Sequence, residues 1–191
     1  FNEETTYFAQ INLLYSIFVY LWPNYVPADL YNSYDDNDLR KVLFFYDLGD
    51  GHYSFKGSYD GGVTPFSGLA TDEMYLIRAE CRAREGNVEG AMADLNALLM
   101  TRYRTGTYVD QSALSPGEAL DLILRERRKE LIGRGLRWSD LKRLNKDSNY
   151  AITLSRTLDG KRYVLEPGDP RYVFSIPHYV IEKSGIEQNS R

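Results

Sequence analysis

From residue 71 to residue 144 apolar side chains recur at the three- and four-residue spacing of helices, and each run carries its own start and stop signals. Thr71 precedes Asp72 and Glu73, a capping residue followed by acids that suit the positive end of a helix dipole, and the pattern runs to Gly86-Asn87. Asn87 is placed to cap a second helix with Ala91, Leu95, Leu98 and Leu99 on one face and Arg102 and Arg104 near its carboxyl end. The short link "EGN" turns the two helices antiparallel, and small Ala79, Ala83 and Ala91 let their backbones approach as in a tetratricopeptide-type hairpin. Ser115-Pro116-Gly117-Glu118 is a capping box with proline at the first helical position, so a third helix is expected from there to Gly133. Its apolar face reads Leu120, Ile123, Leu124 and Leu131, with Arg127 on the same stripe. A short fourth helix is expected from about Trp138 to Leu144.

Beyond Asn145 the period changes to that of strands. "AITLSRTL" and "KRYVLE" flank Asp159-Gly160, a dipeptide suited to a two-residue hairpin turn, and residues 171 to 176 read as extended. Ahead of residue 69 the pattern is weaker. Pro27 opens a short helix through Tyr34, while "KVLFFY" and "HYSFKGSY" read as strands on either side of the turn "DLGDG". Residues 7 to 22 carry no charge but fall short of the ~20 apolar residues of a membrane span, so they are expected in a buried core. The expected fold is mainly α: a tetratricopeptide-type hairpin plus further helices, with loop-rich regions and a small β-hairpin. A lone helical hairpin cannot bury its own face, so partner helices come from elsewhere.

Composition divides the chain at about residue 68. Residues 1–68 hold three Lys/Arg against nine Asp/Glu and 17 of the 26 aromatic residues, whereas residues 69–191 hold twenty basic against eighteen acidic side chains. Two regions follow: an aromatic, acidic, loop-rich segment over 1–68 and a helical region with a hairpin and an extended tail over 69–191. The net charge of -4 argues against general affinity for nucleic acid. Cys81, the single cysteine, lies in a helical pattern and reads as a small apolar filler. With only His52 and His178, no cysteine pair and no phosphate-cradling loop or nucleophile elbow, no catalytic residue, metal site or cofactor is expected. "DDND" at 35–38 lacks the alternating ligand spacing of a calcium loop and reads as an exposed acidic turn.

The stretch "RERRKELIGRGLRWSDLKRL", residues 125–144, contains eight basic residues and three acids. It is either a grip for phosphate or RNA, or a scaffold whose arginines pair inward. Arginine tolerates burial only when its planar fork is satisfied, and Glu130 stands four residues before Arg134, so scaffold is the better reading. Arg127 is then expected to meet Glu80 or Glu130, and Trp138 to fill a helix junction.

Three stretches in order, "DEMYLIRAECRAREGNVEGAMADLNALL", "ILRERRKELIGRGLRWSDLKRL" and "LEPGDPRYVFSIPHYVIEKSGIEQN", closely resemble the SusD/RagB family of outer-membrane nutrient-binding lipoproteins. The likeness covers residues 69–191, and "DDNDLRKVLFF" resembles the family's upstream segment. Ile132-Gly133-Arg134-Gly135 departs from the Phe-Glu-Gly type of sequence more usual there. Since Phe1 is no initiator and such proteins are more than twice this length, the chain is expected to be the carboxyl half, without the lipid-bearing cysteine. The resemblance implies a surface-exposed outer-membrane lipoprotein that binds oligosaccharide or another nutrient beside a SusC-like TonB-dependent transporter, without catalysis. Its only membrane contact would be a lipid anchor outside this chain. It also implies structural roles for Arg127, Glu130, Arg137, Trp138 and Asp140. The aromatic segment suits uncharged sugars, whose C–H faces stack on flat rings, so Trp22, Tyr20, Tyr25, Tyr31, Tyr34, Tyr53 and Tyr59 are the candidate ligand contacts; each has core packing as its alternative. The alternatives in function are a peptide- or RNA-binding tetratricopeptide adaptor and a glycan-cleaving enzyme.

Overall fold

The structure, a computed structural model, describes residues 3–11, 25–57, 59, 61 and 64–190. Those residues form seven α-helices and three two-stranded antiparallel ribbons, in two compact units, Phe1–Gly135 and Leu136–Arg191. The compositional change near residue 68 therefore falls inside the first unit.

That unit begins with β1 (Thr5–Tyr7) and continues through α1 (Ala28–Asn32), α2 (Leu39–Phe44), β2 (Phe45–Asp47) and β3 (Tyr53–Phe55) to β4 (Leu69–Ala70). Its helical layer is α3 (Thr71–Arg84), α4 (Val88–Leu99) and α5 (Pro116–Glu130). The local signals act as anticipated in α4 and α5. Asn87 accepts a hydrogen bond from the Gly90 amide, and Ser115 accepts from the Glu118 amide at 3.2 Å. Thr71, by contrast, is the first residue of α3 rather than its cap. Helices α3 and α4 are antiparallel neighbours with Ala79, Ala83 and Ala91 fully buried, and α5 packs on α3 through Ala119, Leu120 and Ile123. Each buried leucine or isoleucine contributes ~1.5–3 kcal/mol. Cys81 is exposed rather than a filler, because it lies two residues from both Ala79 and Ala83 and so on the opposite face of α3.

Before the helical layer the sequence pattern misleads in two places. "KVLFFY" is mostly helix: Asp38 accepts from the Arg40 amide and starts α2, and only Phe45 and Tyr46 enter β2. Phe45 and Phe55, cross-strand partners in the β2–β3 ribbon, join Leu30 and Tyr34 in a small core. Tyr7 is 64% and Phe8 43% exposed, so the described start of the uncharged run is not core; β1 lies along β4 as a surface ribbon. Residues 12–22 of that run lie outside the described residues.

The second unit contains α6 (Arg137–Leu144), the hairpin of β5 (Leu154–Leu158) and β6 (Lys161–Leu165), and α7 (His178–Ser184). Asp159 and Gly160 both take positive φ, 49° and 74°, as the two-residue turn requires. The tail is less extended than expected: Pro170–Tyr172 is a 3-10 turn, and α7 ends at Gly185 in the left-handed conformation.

Candidate functional site

The first unit encloses an open cavity of about 530 Å³. Helix α2 supplies one wall through Leu39, Leu43 and Phe44, and Lys56 and Gly57 follow directly from β3. This placement has a local cause. Residues 37–39 pair with residues 102–104, the Leu39 amide donating to the Arg102 carbonyl at 2.8 Å, so α2 is anchored beside the end of α4. Leu43, 62% exposed, and exposed Lys56 form the rim, while Arg40 and Glu130, both buried, form the floor.

The floor is a lattice of ion pairs. Arg40, 2% exposed, holds Asp38 through two bonds of 2.9 and 2.7 Å, Glu126 at 2.8 Å and Glu130 at 2.8 Å. Arg102 donates to Glu130 at 2.8 Å and reaches both oxygens of Glu4, at 2.9 and 2.7 Å. The Tyr59 hydroxyl donates to Glu4 as well. Lys129 completes the lattice against Glu126 at 2.8 Å and Asp38 at 3.3 Å. Burial works against the charge of Glu130, but Arg40 and Arg102 outweigh it and hold its pKa below the usual carboxylate value. Glu4 is lowered similarly: burial opposes, and the hydrogen bonds from Arg102 and Tyr59 prevail. Burial then raises the Tyr59 hydroxyl, and its bond to Glu4 adds to the rise.

Three features of this cavity escaped sequence reasoning: the wall from α2, Glu4 reaching Arg102, and Lys56. The last could have been noticed, since residues 1–68 hold only three basic side chains.

Of the candidate aromatic contacts, Tyr59 alone lines the cavity, and Tyr20 and Trp22 lie outside the described residues. Tyr34 is a core residue and offers no open ring. It is 2% exposed, packs edge-on to Phe45, and donates its hydroxyl to the Lys129 carbonyl at 2.8 Å. Tyr31 and Tyr53 stack on each other with centroids 3.4 Å apart, and burial raises the Tyr31 hydroxyl to about 12. Tyr25 is 56% exposed with its ring against His52 at 4.7 Å. These three form a separate aromatic group around the start of β3.

The basic stretch turns inward. Arg127, on the apolar stripe, reaches Glu73 of α3 at 3.0 Å, and Arg134 holds Asp72 at 2.6 Å while lying over the rings of Tyr59 and Phe66. Glu130 is occupied by Arg40 and Arg102. Burial raises the Asp72 carboxyl to about 6 despite Arg134. In the second unit Asp140 is buried and accepts from Arg143 at 2.9 Å, while Arg137 is exposed. Trp138 is half-buried rather than fully enclosed. Its indole N–H donates to the Tyr172 carbonyl at 3.2 Å, and its ring stacks on Phe174.

A helical hairpin with a third helix against it, and a basic helix that feeds an internal ion lattice, define an α-helical scaffold protein with an open cavity. The model of the SusD family matches residues 71–182, and the chain belongs to that family. Its fold is similar to that of a SusD-like carbohydrate binding protein of Bacteroides vulgatus, at 19% identity and a TM-score of 0.61, covering 96% of this chain and 48% of that one. It is also similar to a SusD superfamily protein of Bacteroides fragilis, at 20% identity and a TM-score of 0.55, covering 85% of this chain and 39% of that one. The chain thus spans less than half the length of these two solved structures. No curated protein matches it.

Proposed function

We propose that the chain binds a carbohydrate or another hydroxyl-rich nutrient at the surface of the outer membrane and delivers it to a SusC-like TonB-dependent transporter, leaving it chemically unchanged. The observation that carries this reading is the cavity of about 530 Å³, whose size lies in the range of small-ligand sites and which sets an apolar wall over a polar, ion-paired floor. Leu39, Leu43 and Phe44 suit the C–H face of a sugar ring; the exposed Thr101 hydroxyl and Lys56 ammonium suit its hydroxyls. Membership of the SusD family supports the reading, as does the similarity to a carbohydrate-binding relative. Anchoring through a lipid outside this chain would place the cavity on the cell surface.

A screen of the purified protein against a glycan panel, followed by long incubation with each bound glycan, tests it. At least one glycan is expected to bind and to be recovered intact. Silence across the panel defeats the binding reading, and release of new reducing ends turns the protein into an enzyme. Delivery is tested separately by affinity purification of the full-length protein from outer membranes, which should retain a TonB-dependent transporter.

A further inference from the structure

We infer that the ligand of this cavity is an acidic saccharide, a sugar bearing a carboxylate, and that Lys56 is its counter-charge; the inference rests on the nutrient-binding reading above. Five charged side chains line the cavity: Glu4, Arg40, Lys56, Arg102 and Glu130. Arg102 binds both Glu4 and Glu130, and Arg40 binds Glu130 and, beneath the floor, Asp38 and Glu126. Those four are committed to one another, so none can turn toward a ligand without leaving a buried charge unpaired. Lys56 is the exception, with no ion pair among the described residues, and it is exposed at the rim.

Its surroundings make this unusual. The other two basic residues of the first 68 are both used, Arg40 in the lattice and Lys41 on Asp36 at 2.7 Å. In a segment with nine acids against three bases, one cation thus has no ion pair among the described residues, and it stands where the cavity opens. An ammonium on a flexible stem binds an anion as a point charge, through up to three donors, and a sugar carboxylate can meet it while the ring lies on Leu43 and Phe44. The acidic, aromatic composition of residues 1–68 suggests neutral sugars. The placement of Lys56 favours an acidic one, because its exposed ammonium is the charge a ligand at the rim can reach, whereas the lattice beneath is already paired.

Titration calorimetry with the full chain tests this, using digalacturonate, its neutral counterpart galactobiose, and a sulfated galactobiose. Digalacturonate is expected to bind about tenfold more tightly than galactobiose, the effect of one charge-assisted contact, and the preference should shrink as salt is added. Lys56→Gln, at an exposed position, should leave the melting temperature unchanged and bring the two affinities within about twofold of each other. A preference that survives Lys56→Gln, equal binding of the neutral disaccharide by the native protein, or tighter binding of the sulfated probe than of the carboxylate each overturns the inference. All three leave nutrient binding intact. If the broad glycan panel also fails, the nutrient-binding reading falls with it.

Discussion

Arg40 has its charge more fully enclosed than any other basic side chain lining the cavity, and it touches three carboxylates. Removing one member of such a lattice strands the others in a medium that cannot solvate them. Arg40→Ala and Arg127→Ala are each expected to lower unfolding free energy by about 3–5 kcal/mol, whereas exposed Arg125→Ala should stay within ~0.5 kcal/mol. Denaturant titration of the three variants checks this, and an Arg127→Ala protein as stable as the native one would return that residue to the surface. The carboxylates also set the acid response. Glu4 and Glu130, lowered in the folded state, contribute stability that is present above the ordinary glutamate value of 4.5 and lost as pH falls through their folded values. Asp72, raised from 3.8 to about 6, acts in the opposite sense: the folded state holds its proton more tightly, so stability rises as pH falls through that interval. A melting profile should therefore hold level or rise slightly on acidification from about 6 and then drop below about 4.5, and Asp72→Asn should remove the rise. A profile of Asp72→Asn superposable on the native one would show that Asp72 titrates normally.

At the scale of elements, the long helices were legible because their signals are local: a cap, a proline at the first turn, a glycine at the end. Of the short ones, α1 and α6 were expected, whereas α2 and α7 were not. "KVLFFY" fits a strand as well as a helix, and what decides it is Asp38, which caps α2 while its carboxylate is held by Arg40. Glycines separate local from tertiary demands in the same way. Gly86, between α3 and α4, and Gly133, after α5, both have positive φ, at 85° and 74°. A Cβ at Gly86 meets open space, so Gly86→Ala should cost only the backbone strain of ~1–2 kcal/mol. At Gly133 a Cβ would lie 2.7 Å from the Phe55 ring, which is packed in the small core with Tyr34 and Phe45. Gly133→Ala is therefore expected to destabilise clearly more than Gly86→Ala in thermal melts. Equal losses would show that the Phe55 ring yields freely.

For the whole molecule, the strongest sequence signal for a nucleic-acid partner is spent inside the fold. Of the eight basic residues in 125–144, Arg127, Lys129 and Arg134 are buried against acids of the first unit, and Arg128 and Arg143 pair with Asp29 and Asp140, so five of the eight charges already have an acid partner. Single-stranded RNA should accordingly show no steep salt dependence between about 50 and 200 mM; a loss of several hundredfold over that range would restore the grip reading. Helical pattern, hairpin turns and family were readable from the residues alone, because caps, turn dipeptides and periodic apolar positions act over a few neighbours. The cavity was not, since its charged groups meet across as many as 98 residues between Glu4 and Arg102, and only the packed helices bring them together. The same holds for the aromatic segment: sequence marked the rings, but burial withdrew Tyr34 into the core and paired Tyr31 with Tyr53, while Lys56, one charge among many in sequence, became the exposed cation of the site. Exposure is a property of what packs on a side chain, and no local pattern contains it.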